Sequence, residues 1–176
     1  MLKKILWGIG AIVILFSAYV VYLFATTKNH SPAATSLINV NGVTLTVDYC
    51  RPYKKGRVVF GELLEFGEYW RTGANEPTII RFNKPVSIDG VKVDAGSYRL
   101  YTVPGKKNWI VALNTELEKW GYYEPDYDLD VLRVTVRSEK MEVVQEQFLI
   151  ELLESDEGAD LVLKWDDTKV KLPIKI

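Results

Sequence analysis

The sequence predicts an all-β fold, an antiparallel β-sandwich or jelly-roll-like domain, preceded by one N-terminal transmembrane helix. Two observations predict the domain. Apolar and polar residues alternate along short runs, and turn residues separate these runs at intervals of ~8–12 residues. A long uncharged apolar stretch near the N-terminus predicts the helix. The 176 residues are enough for one ordinary domain plus a short extra segment.

The apolar stretch has the length of a membrane anchor. No residue from Ile5 to Thr27 carries a charge. At ~1.5 Å per residue, about 21 helical residues span roughly 31 Å, close to the hydrocarbon thickness of a bilayer. Lys3 and Lys4 favour a cytoplasmic N-terminus. We therefore predict a transmembrane anchor at residues 5–25, through which the membrane is a partner of the chain.

A cleaved signal peptide is the alternative to the anchor. Its apolar core usually has about 7–15 residues and ends at a small-x-small site. The run here is longer, and Ser31-Pro32-Ala33-Ala34 matches such a site only loosely. Both interpretations export the domain, so we expect it in the periplasm, held by a bacterial inner membrane. The other expected divisions are a cytoplasmic N-terminus at residues 1–4, a tether at 26–36 and a β-rich extracytoplasmic domain at 37–176.

The alternation predicts about nine or ten short strands. Alternating runs occupy residues 44–49, 132–137, 161–165 and 169–172. Asn41-Gly42 and Asp89-Gly90 predict two-residue hairpin turns, because both central positions accept a positive φ. Asp166-Asp167 is expected to join two C-terminal strands. Only residues 60–69 and 116–120 have the pattern of short helical turns.

Composition excludes several function classes. His30, in the tether, is the only histidine, so the domain lacks the residues for Ser-His-Asp or Cys-His catalysis. The single cysteine, Cys50, allows no intrachain disulfide and no zinc or copper ligand set. We therefore expect no cofactor. Lysines and arginines are spread along the strands, so we also expect no nucleic-acid partner.

The segment from Tyr69 to Pro77 breaks the periodicity and is the strongest candidate for a site. It places Trp70, Arg71, Asn75 and Glu76 around a glycine, and loops of this kind on rigid β scaffolds often bind ligands. In that interpretation Trp70 is an apolar wall and the other three are polar anchors. We expect Arg71 and Glu76 to form a charge-assisted pair. The alternative is a structural loop whose tryptophan plugs one end of the sandwich.

Several stretches of the domain together resemble one known family. The tryptophan-to-glutamate motif is the longest and most specific of them. The sequence is similar to the bacterial family of domains of unknown function numbered 2911 (DUF2911), common in Bacteroidetes. The resemblance implies an exported β-rich domain and no established activity, and Cys50 departs from the small polar residue expected there. The matching stretches are Val47-Asp48-Tyr49, Arg51-Pro52, Lys55-Gly56-Arg57, Phe60-Gly61, Trp70-Arg71-Thr72-Gly73-Ala74-Asn75-Glu76, Ala95-Gly96-Ser97-Tyr98, Trp120-Gly121 and Asp130-Val131-Leu132-Arg133-Val134.

Carboxylates provide two weaker site hypotheses. Asp126, Asp128 and Asp130 alternate, and oxygen ligands at that spacing can hold calcium, although the EF-hand pattern fails further along. Glu76 with Glu124, Asp126 or Asp128 has the composition of a glycosidase pair. We favour a non-catalytic binding or interaction module whose partner is an envelope protein or a glycan. A histidine-free carboxylate enzyme and a purely structural envelope component are the alternatives.

Overall fold

The computed structural model describes residues 2–176, which contain one α-helix, nine β-strands and one turn of 3₁₀ helix. Helix α1 spans Leu2–His30, and the 3₁₀ turn spans Tyr127–Leu129. The strands are β1 (Ala33–Val40), β2 (Val43–Cys50), β3 (Thr78–Phe82), β4 (Val86–Ile88), β5 (Val91–Val93), β6 (Gly96–Val103), β7 (Asn108–Asn114), β8 (Asp130–Ser155) and β9 (Gly158–Lys175).

All neighbouring strands are antiparallel, as predicted, and follow the order β1-β2-β3-β6-β7-β8-β9-β4-β5. Strand β8 is 26 residues long and joins the two halves, because its first part pairs with β7 and the remainder with β9. The chain after β2 also returns to β8, where Phe148 N donates to Pro52 O at 2.9 Å, a normal length for a backbone hydrogen bond. The sheet therefore curls around a single core.

The burial of the strand residues confirms the predicted alternation of apolar and polar side chains. In β2, Leu45 and Val47 are fully buried and Thr46 between them is only half-buried. The other strands from both halves of the sheet send their apolar residues to the same cluster. Burying one such side chain contributes roughly 1.5–3 kcal/mol, so this inward face is the main source of stability.

The backbone φ values confirm two of the predicted hairpin turns and show that a third predicted turn lies within a strand. Asn41 and Gly42 have φ of 52° and 77° between β1 and β2, and Asp89 and Gly90 have 50° and 79° between β4 and β5. Asp166, expected to end a strand, lies inside β9 with φ 54°. Asp166 lies opposite a register shift in β8, so a β-bulge forms here in place of the expected turn.

The two segments with helical patterns are not helical among the described residues. Residues 60–69 form tight turns, because the Phe60 side chain is drawn into the aromatic core. Residues 116–120 are irregular. The one 3₁₀ turn comes later, where the Asp126 carboxylate accepts a hydrogen bond from Asp128 N at 3.1 Å.

Helix α1 ends at His30 and β1 begins at Ala33, so only Ser31 and Pro32 separate them. Most of the segment predicted as a tether is therefore regular structure. The predicted anchor at residues 5–25 falls within α1, although several of its side chains lie outside the described residues. Over the part of the chain that the structure describes, no helix combines the length and hydropathy required to cross a membrane.

Candidate functional site

A cavity of about 520 Å³ opens beside the Trp70–Glu76 segment. Three pieces of chain form its walls: the start of this segment, the loop that follows β2, and the loop before the 3₁₀ turn. The C-terminal end of α1 and one residue of β9 complete the lining. The lining residues are His30, Ser31, Pro52, Tyr53, Lys55, Arg57, Leu63, Leu64, Tyr69, Trp70, Arg71, Gly73, Ala74, Tyr122 and Trp165.

Hydrogen bonds to β6 fix the first part of the segment. Trp70 N donates to Thr102 O at 2.8 Å, and Thr102 N donates back to Trp70 O at 2.9 Å. The Thr72 hydroxyl donates to Thr102 Oγ1 at 3.1 Å. At Gly73 a Cβ atom would lie 3.0 Å from Cys50 O, so the close approach of two backbones requires glycine there.

Trp70 lines the cavity and is also part of the core. It is 5% exposed and stacks on Trp165 at 5.6 Å between ring centroids. Phe148 and Trp109 meet its edges at 4.9 and 6.0 Å. Its indole Nε1 donates to Gly73 O at 3.0 Å, which satisfies the ring's polar atom.

Arg71 is half-buried on the cavity wall and has no carboxylate partner among residues 2–176. Its Nε atom is buried and forms no hydrogen bond with any described residue. Burial lowers the pKa of the Arg71 guanidinium; the Tyr69 hydroxyl opposes this shift, and the neighbouring Arg99 cation adds to it. The stem of Arg71 lies against Gly121, where a Cβ atom would be 2.8 Å from Arg71 Cδ.

The predicted Arg71–Glu76 pair is wrong. Between these described residues the backbone has positive φ at Thr72 and Asn75, of 52° and 59°, and the two side chains line different cavities. Glu76 Oε2 accepts a hydrogen bond from Cys50 Sγ at 3.4 Å in a separate cavity of about 240 Å³. Asn75 Nδ2 donates to a backbone carbonyl at 3.4 Å. The structure thus brings Trp70 and Arg71 together and leaves Asn75 and Glu76 outside this cavity.

Arg99 supports the site and was missed by the sequence analysis. It is fully buried in β6, with Nη2 donating to the Tyr69 hydroxyl and to Tyr123 O, the latter at 2.5 Å. Weaker bonds reach Gly121 O at 3.3 Å and Lys119 O at 3.4 Å. Arg99 therefore holds the loop that carries Tyr122. The available signal was an arginine in the otherwise apolar and aromatic run 98–101.

Two further cations line the cavity from a pinned loop. Arg57 donates from Nε to Lys54 O at 2.8 Å and from Nη2 to Tyr53 O at 2.6 Å. Lys54 forms an ion pair with Asp166, which holds this loop to β9. Lys55 and Arg57 thus line the cavity with Arg71, and no aspartate or glutamate is among the described lining residues. The lysine and arginine side chains that line the cavity therefore have no acidic counterpart among the described lining residues.

Comparison with known protein families gives a match over the part of the chain that forms this site. The family model described as "Protein of unknown function (DUF2911)" matches residues 31–174. The chain belongs to the DUF2911 family. The match runs from just before β1 into the last strand, so it spans the whole sheet and every residue of the cavity except His30. No curated protein and no solved structure matches this chain.

The three aspartates proposed for calcium in this DUF2911 domain do not converge. Asp126 caps the 3₁₀ turn through Asp128 N. Asp130 accepts hydrogen bonds from Asn114 Nδ2 at 2.8 Å and from the Tyr101 hydroxyl at 2.5 Å. Within residues 2–176 no group of three histidine, cysteine, aspartate or glutamate side chains is arranged to hold a metal ion.

The proposed carboxylate pair is likewise separated. Glu76 lines the smaller cavity together with Asp48. Asp48 is held by the Thr35 hydroxyl at 2.6 Å, a bond that lowers the pKa of its carboxyl. Glu124 accepts from the Tyr127 hydroxyl at 2.7 Å. Neither Glu124 nor the aspartates that follow it line the cavity of Glu76, so the DUF2911 domain does not assemble the predicted glycosidase pair there.

Proposed function

We propose that this DUF2911 protein is a non-catalytic binding module that holds a small anionic group, a carboxylate or a phosphate, in the cavity beside Arg71. One observation carries the proposal. The guanidinium of Arg71 is half-buried, its Nε atom is buried, and neither a hydrogen bond nor a carboxylate of the described residues satisfies it. Arginine stays charged at any physiological pH, so this cation lacks a counter-ion.

The energetics favour an anion as the occupant. Burying a charge is unfavourable unless it is paired and hydrogen-bonded, and an orphaned buried donor costs about 1–3 kcal/mol. A bound carboxylate or phosphate would accept from the guanidinium through charge-assisted bonds, often two in parallel. Lys55 and Arg57, which also line the cavity, would add attraction. Trp70 and Tyr69 would exclude water from one side of the bond, which strengthens it.

Replacing Arg71 with glutamine tests the proposal. Without a ligand, we expect the variant's free energy of unfolding to stay unchanged or to rise by about 1 kcal/mol, because no ion pair is lost and a buried charge is removed. In wild type, phosphate or acetate at about ten times its dissociation constant should add roughly 1.4 kcal/mol, which raises Tm by about 3–6 °C. Arg71→Gln should abolish that increase.

The measurement is thermal unfolding of the full-length chain in a mild non-ionic detergent, with sodium chloride matching the ionic strength. Arg81→Gln is the matched control, because Arg81 is paired with Asp48 on the surface and does not line the cavity. This control should keep the anion-dependent increase in Tm. An increase that survives in Arg71→Gln would refute the assigned site, and a loss of several kcal/mol without ligand would indicate a structural role instead.

We also propose that α1 anchors the domain to the outer face of a bacterial inner membrane. The uncharged run from Ile5 to Thr27 supports this, as do the large apolar side chains that α1 leaves uncovered. Trp7, Leu15 and Phe16 are 81, 70 and 66% exposed. A membrane would remove this apolar surface from water.

The anchor predicts that the protein stays in the membrane fraction after a high-salt or carbonate wash. Peripheral proteins held by charge are released under these conditions, because salt screens ionic contacts. The fraction is followed by immunoblotting of the full-length chain. A mature N-terminus near Thr35, determined by mass spectrometry, would mean that the segment is cleaved and would contradict the anchor.

A further inference from the structure

The cavity is too large for a lone acetate or phosphate ion. Its volume of about 520 Å³ lies within the roughly 300–1,000 Å³ of pockets that enclose whole organic ligands. Arg71 contributes to only one part of the wall. A ligand that fills the cavity therefore extends beyond Arg71 and contacts other lining residues, among which Lys55 and Arg57 are cationic.

Aromatic rings form much of that remaining wall. Tyr69, Trp70 and Trp165 form the inner part, and Tyr53 and Tyr122 contribute rings that are 37 and 69% exposed. Flat apolar faces beside a cation suit a ligand that is itself a ring bearing an anionic group.

The backbone that carries the most exposed of these rings, Tyr122, is fixed by hydrogen bonds. Tyr122 meets Tyr123 edge to face, with ring centroids 5.5 Å apart. The carbonyls of Gly121 and Tyr123, on either side of it, accept hydrogen bonds from buried Arg99. A contact face that is already fixed loses less conformational entropy when a ligand binds.

We propose that the ligand of this cavity is a carboxylate carried on a six-membered ring, with the carboxylate on Arg71 and one ring face against Tyr122. This inference rests on the proposed anion site and adds the class of its ligand. The planar guanidinium suits the planar carboxylate, because two parallel bonds fix the orientation of the ring that bears it. An acidic sugar residue and an aromatic acid both supply this chemistry.

The test compares the affinities of four sodium salts and one neutral sugar for the full-length chain in detergent. The probes are benzoate, glucuronate, acetate, inorganic phosphate and glucose, and the readout is the chemical shift of the Gly73 and Ala74 backbone amides, which line the cavity. We expect benzoate or glucuronate to bind about tenfold more tightly than acetate, the difference that ring stacking supplies. Glucose should produce no saturable shift, because it lacks the anion.

Variants in the aromatic loop separate stacking from charge. Tyr122→Ala should reduce the affinity ratio of ring acid to acetate to about threefold or less, and Tyr122→Phe should preserve it, because phenylalanine keeps the ring face. Trp120→Ala is the control: Trp120 belongs to the same loop, is 46% exposed and does not line the cavity. It should leave the ratio unchanged.

The outcomes distinguish the two proposals. Glucuronate binding above benzoate identifies an acidic sugar, and the reverse order identifies an aromatic acid; either supports the inference. Equal affinities for acetate and both ring acids would overturn the ring assignment and leave the anion site standing. A ratio unaffected by Tyr122→Ala would also overturn it. If neither acetate, phosphate nor a ring acid binds, the anion site itself fails.

Discussion

Replacing Trp70 with alanine is expected to lower the free energy of unfolding by about 3–5 kcal/mol, the range for truncating a buried tryptophan. The indole fills the centre of the aromatic core, stacked on Trp165 and in edge contact with Phe148. Its removal also leaves Gly73 O without the donor at Nε1. Because Trp70 forms both core and cavity wall, the variant should lose anion binding as well.

Urea unfolding followed by far-UV circular dichroism measures this loss. Trp120→Ala is the matched control, since the same side chain is removed from a position that is 46% exposed. Its loss should stay within about 0.5 kcal/mol. Trp70→Phe should fall between the two, because it keeps an aromatic ring and loses the hydrogen bond. A loss below about 1 kcal/mol in Trp70→Ala would contradict the core role.

Replacing Asp166 with asparagine should have a comparable effect, a loss of about 3–5 kcal/mol, because it leaves the charge of Lys54 stranded. The side chains of this ion pair are only 18 and 12% exposed. The same carboxylate accepts a hydrogen bond from Val59 N at 3.2 Å. Asparagine tolerates the positive φ at this position, so the substitution tests the charge rather than the backbone.

Two further variants check this explanation by chemical denaturation. Asp167→Asn removes the neighbouring carboxylate, whose partner Lys140 is 82% exposed, and should cost at most about 1 kcal/mol. Lys54→Met combined with Asp166→Asn should recover part of the loss, because no unpaired charge remains. An Asp166→Asn protein as stable as Asp167→Asn would show that the pair does not hold the loop to β9.

The strands and hairpins could be predicted because their causes are local. One face of each strand points to the core, so apolar residues recur at every second position. Asn41-Gly42 and Asp89-Gly90 have the turn conformation that their own side chains allow. The bulge at Asp166 could not be predicted in this way, because it depends on the register of a partner strand.

The site was predictable only in part, since Trp70 and Arg71 were identified but their surroundings were not. Positions 71 and 76 are close in sequence, which suggested a pair. The backbone between them has positive φ values at Thr72 and Asn75, which residue type alone does not specify. In the sequence, Arg99 is one polar residue within a strand. Its burial depends on the loop that contains Tyr123, whose carbonyl accepts a hydrogen bond from Arg99. Lys55 and Arg57 reach the cavity because the chain that follows β2 returns to β8.

We propose above all that the guanidinium of Arg71 binds an anion. The most direct measurement is the ¹⁵N–¹H signal of the Arg71 Nε–H group in the full-length chain, assigned by its absence in Arg71→Gln. Hydrogen bonds to charged acceptors are short and strong, so a bound anion should move this signal markedly. We predict a saturable shift on titration with phosphate or benzoate and none with matched sodium chloride. A signal that stays unchanged while either anion is added to high concentration would contradict it.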